Sequence, residues 1–157
     1  EVLADPGHGL FVWAPILLIA VAGLLWRLLG RDAVAVFLAL GLLLQVWING
    51  AVDSWSQAGA FGSRRFVSAT PVFAWGLAAV VAAVLPRVRV AAAAAALGLF
   101  VWWNVSLMVQ FGLKLMDRQR LEWPRVAVNQ VREVPPRLAR VAWLFLTDRE
   151  RLVREGA

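Results

Sequence analysis

The sequence has no cysteine, one histidine, and one lysine among its 157 residues. Without cysteine the chain can form neither a disulfide framework nor a cysteine-ligated zinc site. A single histidine cannot make a metal site unaided, because ordinary sites need three or four ligands. Charged residues make up only 17% of the chain, whereas hydrophobic residues reach 61%. A soluble domain has about 25% charged residues, so this composition indicates a membrane protein.

The common signatures of an independent enzyme are also missing. The chain has no Gly-rich phosphate loop followed by Lys and Ser or Thr, no nucleophile elbow, and no pair of carboxylates at a useful spacing. It therefore offers no credible general base. We expect no catalytic residue, no metal ligand and no cofactor site in this chain.

The apolar residues are concentrated in runs that predict an all-α integral membrane protein. About 18 to 20 helical residues cross the ~30 Å hydrocarbon core of a bilayer. Several runs have a tryptophan near one or both ends, where interfacial anchors are expected. We expect residues 1–116 to form a transmembrane region with four spans, at about 12–29, 33–48, 66–85 and 90–113.

The remaining residues, 117–157, form a polar, arginine-rich tail that prolines interrupt at 124, 135 and 136. Within it, the apolar stretch 141–146 is too short to cross a membrane. Because arginines lie on both sides of it, we expect an amphipathic interfacial helix. The net charge of +6 indicates membrane lipid as a partner, since the arginines flank apolar spans and no nucleic-acid fold signature is present.

The fourth span contains two features that indicate contacts with other helices. It opens with six consecutive alanines, Ala91–Ala96, and small residues let helices approach closely in lipid. Asn104 lies in the middle of the span, where an amide usually faces a partner helix or a cavity. For Asn104, and for Gln45 and Gln110 in or near the ends of spans, we expect hydrogen bonds between helices.

Arg64 and Arg65 lie in the long polar connection between the second and third spans. An arginine fork matches the oxygens of a phosphate, and the nearby glycines Gly59 and Gly62 let the backbone approach a ligand. The two side chains could equally anchor the third span at the lipid headgroups. Their spacing alone leaves both interpretations open.

Three further residues are candidates with simpler alternatives. His8 carries the one imidazole of the chain and could exchange or donate a proton to a substrate, or be structural. Asp53 could act as a base, pair with one of the arginines, or cap a helix. Trp55 could stack on a sugar face or belong to the interfacial tryptophans.

Two stretches resemble bacterial membrane glycosyltransferases of the GT-C type, the relatives of protein mannosyltransferases that use polyprenyl-phosphate sugars. The first is His-Gly-Leu-Phe-Val-Trp-Ala-Pro at 8–15. The second is Asp-Ser-Trp at 53–55 followed by Phe-Gly-Ser-Arg-Arg-Phe at 61–66 and Thr-Pro at 70–71. The family's Trp-Trp-Gly-Gly run is here Ser-Trp-Ser-Gln at 54–57. Residues 104–115 are also similar to the helix that follows in that family.

The resemblance covers roughly residues 5–130 and implies the C-terminal part of such an enzyme. It implies that Arg64 and Arg65 hold the carrier phosphate, that His8 and Trp55 line the sugar cleft, and that Asp53 orients an arginine. The family's catalytic acid lies in an N-terminal outer loop, to which no position here corresponds. The chain begins with Glu1, so we expect a missing N-terminal transmembrane half as a partner. The alternative is a non-catalytic membrane subunit that binds lipid or a larger complex.

Sidedness can be predicted in two ways that disagree. The basic residues around the connection 49–65 and beyond the fourth span favour a cytoplasmic location for that side, because arginine-rich short loops are usually cytoplasmic. The resemblance implies the opposite, with the active site facing outward. We adopt the second orientation, in which 49–65 is extracytoplasmic in a multi-pass protein of the cell membrane.

Overall fold

The computed structural model describes residues 2–53, 61–117 and 121–151, and within these ranges the chain is helical with no strand. This confirms the expected all-α class. The helices are α1 (Leu10–Trp13), α2 (Ile16–Leu29), α3 (Ala33–Gly50), a 3₁₀ helix (Arg64–Ala69), α4 (Thr70–Val84), α5 (Val90–Gly112), α6 (Trp123–Arg132) and α7 (Val134–Thr147).

Three of these segments are long and apolar enough to cross a membrane: α3, the 3₁₀ helix together with α4, and α5. The predicted span at 12–29 is divided instead. Ala14 leaves the helical region, with φ −135° and ψ 76°, because the ring of Pro15 disfavours helical geometry in the preceding residue. The helix that follows, α2, has 14 residues and is therefore only about 21 Å long.

The first hydrophobic cluster lies between α2, α3 and α4. Helices α2 and α4 touch through glycines: Gly76 lies against the backbone of Ala20 and Leu24, and Gly23 lies against Gly76 and Val80. Ala20 lies near Gly76, and Gly23, further along α2, lies near Val80, further along α4. The two helices therefore run in the same direction. Buried side chains around the contact include Leu24, Phe73 and Phe66.

The second cluster joins α1 to the C-terminal half of α5 and to α6. Its buried members are Trp13, Leu107, Met116, Leu121 and Val126. The segment before α1 is tied to the same region, because the Leu121 N–H donates to the carbonyl oxygen of Gly7 at 3.1 Å. The N-terminal residues, the end of α5 and the start of α6 therefore lie on one side of the molecule.

The connection between α2 and α3 is held by Asp32. Its carboxylate accepts hydrogen bonds from the N–H groups of Val34 (2.9 Å) and Ala35 (3.3 Å), which caps α3, and it also pairs with Arg27. Desolvation acts to raise the pKa of Asp32, but the hydrogen bonds from Ala35, Arg27 and Val34 prevail and lower it. The carboxylate therefore stays ionised at neutral pH, and the cap and the ion pair both hold this turn.

The alanine-rich beginning of α5 is exposed. Five of the six alanines at 91–96 are exposed, and Ala93 is half-buried. The expected packing of this end against protein is therefore not provided by the described part of the chain.

The described part of the tail contains more helix than the sequence indicated. Its prolines do not break it up but lie in the first turns of α6 and α7, where a missing N–H leaves no intrahelical hydrogen bond unmade. Helix α7 spans Val134–Thr147, well beyond the predicted 141–146, and α6 precedes it where no helix was predicted.

Candidate functional site

A cavity of about 480 Å³ lies at the junction of the two hydrophobic clusters. This volume falls within the range of about 300–1,000 Å³ that is usual for small-molecule sites. The lining comes from α1, α2, α4, α5 and the segment that leads into α4. The lining residues are Leu10, Trp13, Ala14, Ile16, Leu17, Ala20, Phe61, Gly62, Ser63, Arg64, Phe66, Val67, Thr70, Phe73, Ala74, Leu77 and Asn104.

The walls of the cavity are predominantly apolar. An aromatic row closes one side, in which Phe61 makes edge-to-face contacts with Trp13 and with Phe111, each at 5.3 Å between ring centroids. The Trp13 indole N–H does not point to a ligand, because it donates to the carbonyl oxygen of Gly7 at 3.1 Å. The cavity therefore suits a hydrocarbon occupant along most of its surface.

Arg64 is the one charged residue in the lining that the described residues form. Its side chain is exposed, and it makes no hydrogen bond or ion pair with any residue in the described ranges. An unpaired guanidinium beside apolar walls attracts an anion, since it presents five donors and stays protonated. The cavity thus combines an apolar volume with a single available cation.

Gln45 holds the turn that presents Arg64. Its side-chain Nε2 donates to the carbonyl oxygen of Arg65 at 2.7 Å, which links α3 to the first turn of the 3₁₀ helix. The carbonyl of Gln45 in turn accepts a hydrogen bond from the side chain of the buried Asn49 at 2.7 Å. The hydrogen bond from Gln45 to the carbonyl oxygen of Arg65 confirms the expected inter-helical role of Gln45.

Arg65 has different surroundings from its neighbour. It does not line the cavity, and its carbonyl oxygen is engaged by Gln45. The hydroxyl of Ser68 also donates to that oxygen, at 3.4 Å. The two arginines therefore do not form one fork over the cavity, and Arg64 is the better placed to meet an occupant.

Of the other predicted site residues, His8 and Asp53 do not line the cavity. His8 is half-buried, its backbone N–H donates to the Asp5 carboxylate at 2.8 Å, and its Nδ1 lies 3.9 Å from the same carboxylate. Asp53 is exposed just after α3, and no ion pair joins it to Arg64 or Arg65 in the described ranges. Trp55 lies outside the described residues.

Asn104 lines the cavity from α5, which is one of the two surroundings that its depth in the span indicated. Its Nδ2 donates to the carbonyl oxygen of Phe100 on its own helix, at 2.9 Å. The expected inter-helical hydrogen bond is therefore not the one this amide makes. Gln110, by contrast, does join two helices, because its Nε2 donates to the carbonyl oxygen of Val126 on α6 at 3.4 Å.

The described residues include no group of three or more histidines, cysteines or carboxylates that could hold a metal ion. No carboxylate or imidazole from these residues lines the cavity either. The arrangement can therefore bind an amphiphile with an anionic group, but the described lining supplies no general base to act on it.

No protein-family model, no curated protein and no solved structure matches this chain. Any function must therefore be argued from the cavity and from the apolar helices around it.

Proposed function

We propose that the chain is the donor-binding part of a membrane glycosyltransferase that moves a sugar from a polyprenyl-phosphate carrier to an acceptor outside the cytoplasm. The observation that supports this most strongly is the cavity, in which apolar walls meet the guanidinium of Arg64, unpaired within the described ranges. The isoprenoid chain of the carrier would lie along the apolar walls, and its phosphate would meet Arg64. A sugar would then extend from the phosphate.

Hydrophobic burial and charged hydrogen bonds both favour such an occupant. Burying hydrocarbon against the aromatic and aliphatic lining excludes water from both surfaces. A hydrogen bond to a charged group contributes about 1.5–3 kcal/mol, and a guanidinium can make two of them to one phosphate. The single cation also sets a direction, because only the anionic end of the lipid is stabilised at Arg64.

The membrane arrangement is part of the same proposal. The apolar segment 10–29, which includes α1 and α2, is the fourth crossing besides α3, α4 and α5. Helix α7 lies in the interface, with Ala139, Trp143 and Leu146 exposed on one face. The chemistry requires a base, which would have to come from outside the described lining of the cavity.

The phosphate role can be tested by direct binding. The whole chain in lipid nanodiscs is titrated with polyprenyl phosphate, and the neutral polyprenol serves as the ligand control. Arg64→Gln should weaken binding of the phosphate by about 10-fold or more, which corresponds to the loss of one charged hydrogen bond. Arg65→Gln should have a smaller effect, because its residue does not line the cavity.

Arg87→Gln is the matched control, since Arg87 lies in the connection between α4 and α5, outside the cavity lining. It should bind as the wild type does. Unchanged binding in Arg64→Gln would contradict the phosphate site. Equal binding of polyprenol and polyprenyl phosphate by the wild type would contradict the proposed function as a whole.

A second candidate is a non-catalytic membrane subunit, and the exposed alanine stretch of α5 is the observation that favours it. Such a surface suits close packing against a helix of another protein. A photo-crosslinking residue at Ala94 distinguishes the two functions. Capture of one protein partner, together with no preference for the phosphate lipid, would support the subunit and oppose the transferase.

A further inference from the structure

The polar groups of the cavity differ in what they can recognise. Arg64 provides donors only, so it recognises an acceptor such as a phosphate oxygen. Asn104 is the one amide side chain in the lining that the described residues form. Like the hydroxyls of Ser63 and Thr70, which also line the cavity, it can accept a hydrogen bond, which the guanidinium cannot do.

The hydrogen bond to Phe100 identifies which atom of the Asn104 amide group is the nitrogen and which is the oxygen. A carbonyl oxygen accepts only from a donor, so the atom 2.9 Å from the Phe100 oxygen is the amide nitrogen. Only one of its two N–H groups is used in this way. One N–H and the Oδ1 oxygen remain, and Oδ1 accepts no hydrogen bond from any residue in the described ranges.

A neighbouring donor and acceptor are the partners that a hydroxyl group matches, because a hydroxyl both donates and accepts. A phosphate diester has no hydrogen to donate, so it would leave Oδ1 unsatisfied. Because Oδ1 accepts no hydrogen bond within the described ranges, it can accept one from an occupant of the cavity. The chemistry of the residue therefore indicates a hydroxyl-bearing group on the occupant.

We infer that Asn104 determines specificity for the group attached to the phosphate, by accepting a hydrogen bond from one of its hydroxyls through Oδ1. This inference rests on the proposed function and assigns a second contact in the same site. Arg64 then binds the phosphate that all carriers share, whereas Asn104 distinguishes a carrier that bears a sugar from one that does not.

The test compares two lipids in the whole chain reconstituted in nanodiscs: polyprenyl phosphate, and the same lipid carrying one mannose. The variant is Asn104→Leu, which has a similar volume but no polar atom. Its affinity for the mannosyl lipid should fall about five- to tenfold, as expected for the loss of one neutral hydrogen bond. Its affinity for polyprenyl phosphate should stay within about twofold of the wild type.

Two further variants keep this result interpretable. Asn104→Ser replaces the amide with a hydroxyl, which can donate to Phe100 and still accept. It should therefore recover part of the affinity for the mannosyl lipid. Met108→Leu changes an exposed side chain of α5 outside the cavity lining and should change neither affinity. Circular dichroism at a helix-sensitive wavelength checks that all variants keep the helical content of the wild type.

Equal effects of Asn104→Leu on the two lipids, or no effect on either, would overturn the role of Asn104. If the wild type prefers neither phosphate lipid over polyprenol, then the proposed function fails first, and this inference fails with it. The two failures are distinguishable, because failure of the proposed function is seen in the binding of the three lipids to the wild type, without any variant.

Discussion

Gly23 and Gly76 are the residues on which the packing of α2 against α4 depends. A Cβ at Gly76 would overlap the carbonyl oxygen of Ala20, and a Cβ at Gly23 would overlap the carbonyl oxygen of Gly76. The obstacle in both cases is backbone, which cannot move aside as a flexible side chain would. Glycine is therefore required here for the close approach of two helices.

Gly76→Ala should separate α2 from α4 and lower stability. Overpacking of this kind costs about 1–3 kcal/mol of stability. The shape of the cavity should change as well, because both helices line it. The measurement is the midpoint of thermal unfolding in detergent, followed by circular dichroism. Gly98→Ala is the matched control: Gly98 is in α5, and a Cβ added there would meet nothing within 4 Å, so it should lose no stability. Equal midpoints for the two variants would contradict the packing argument.

The adjacent arginines show what a sequence motif can and cannot predict about a site. Their composition and position were compatible with an anion site or with an anchor at the lipid headgroups, and Arg64 does line a cavity. The motif could not separate Arg64 from Arg65, because their surroundings depend on the turn that Gln45 holds from α3. For Asn104 the sequence indicated a partner helix or a cavity, and a hydrogen bond between helices was expected, since nothing local indicates that α5 passes beside this cavity.

At the scale of the element, α7 has two apolar faces. Val134 and Leu144 are buried, and Leu138 and Val141 on the same side are half-buried. Ala139, Trp143 and Leu146 follow the same spacing on the opposite side and are exposed, with Trp143 at 67% and Leu146 at 79%. One face therefore packs within the protein, and the other suits the membrane interface.

The interfacial position of α7 can be measured with single cysteines, because the chain has none of its own. Ala139→Cys lies on the exposed apolar face, and Thr147→Cys lies off it. With an environment-sensitive fluorophore in lipid vesicles, the label at position 139 should emit at shorter wavelength and be quenched by a lipid-borne quencher. The label at position 147 should respond as it would in water. Water-like emission from both positions would show that α7 stands clear of the bilayer.

The helices differ in how well the sequence predicted them. The bounds of α3, α4 and α5 follow from apolar runs that end at arginines, asparagine or proline, and the predictions were within a few residues. Helix α6 was missed because it is short and polar, and its apolar residues become evident only when Val126 is seen packed against α5. The break at Ala14 depends on Pro15, which lies inside the span predicted at 12–29.

At the scale of the whole molecule, the helix directions place the connections in two groups. Since α2 and α4 run the same way, the segment before α1 and the segment 61–63 lie on one side. The turns at 30–32 and 86–89 lie on the other. The end of α5 rejoins the first group, because Leu121 is hydrogen bonded to Gly7. Arg64 and the segment that leads into α4 therefore line the cavity from the first of these two sides.

This grouping gives a test of sidedness that does not depend on the charge distribution. Ser63→Cys reports on the cavity side and Val88→Cys on the opposite side, each as the single thiol in the chain. In intact cells, an impermeant maleimide should label position 63 and should label position 88 only after the membrane is opened. That outcome is expected because a polyprenyl-linked donor for an extracytoplasmic acceptor must be used outside. The reverse pattern would follow the arginine-based prediction. It would leave the cavity facing the cytoplasm, where this proposed reaction cannot occur.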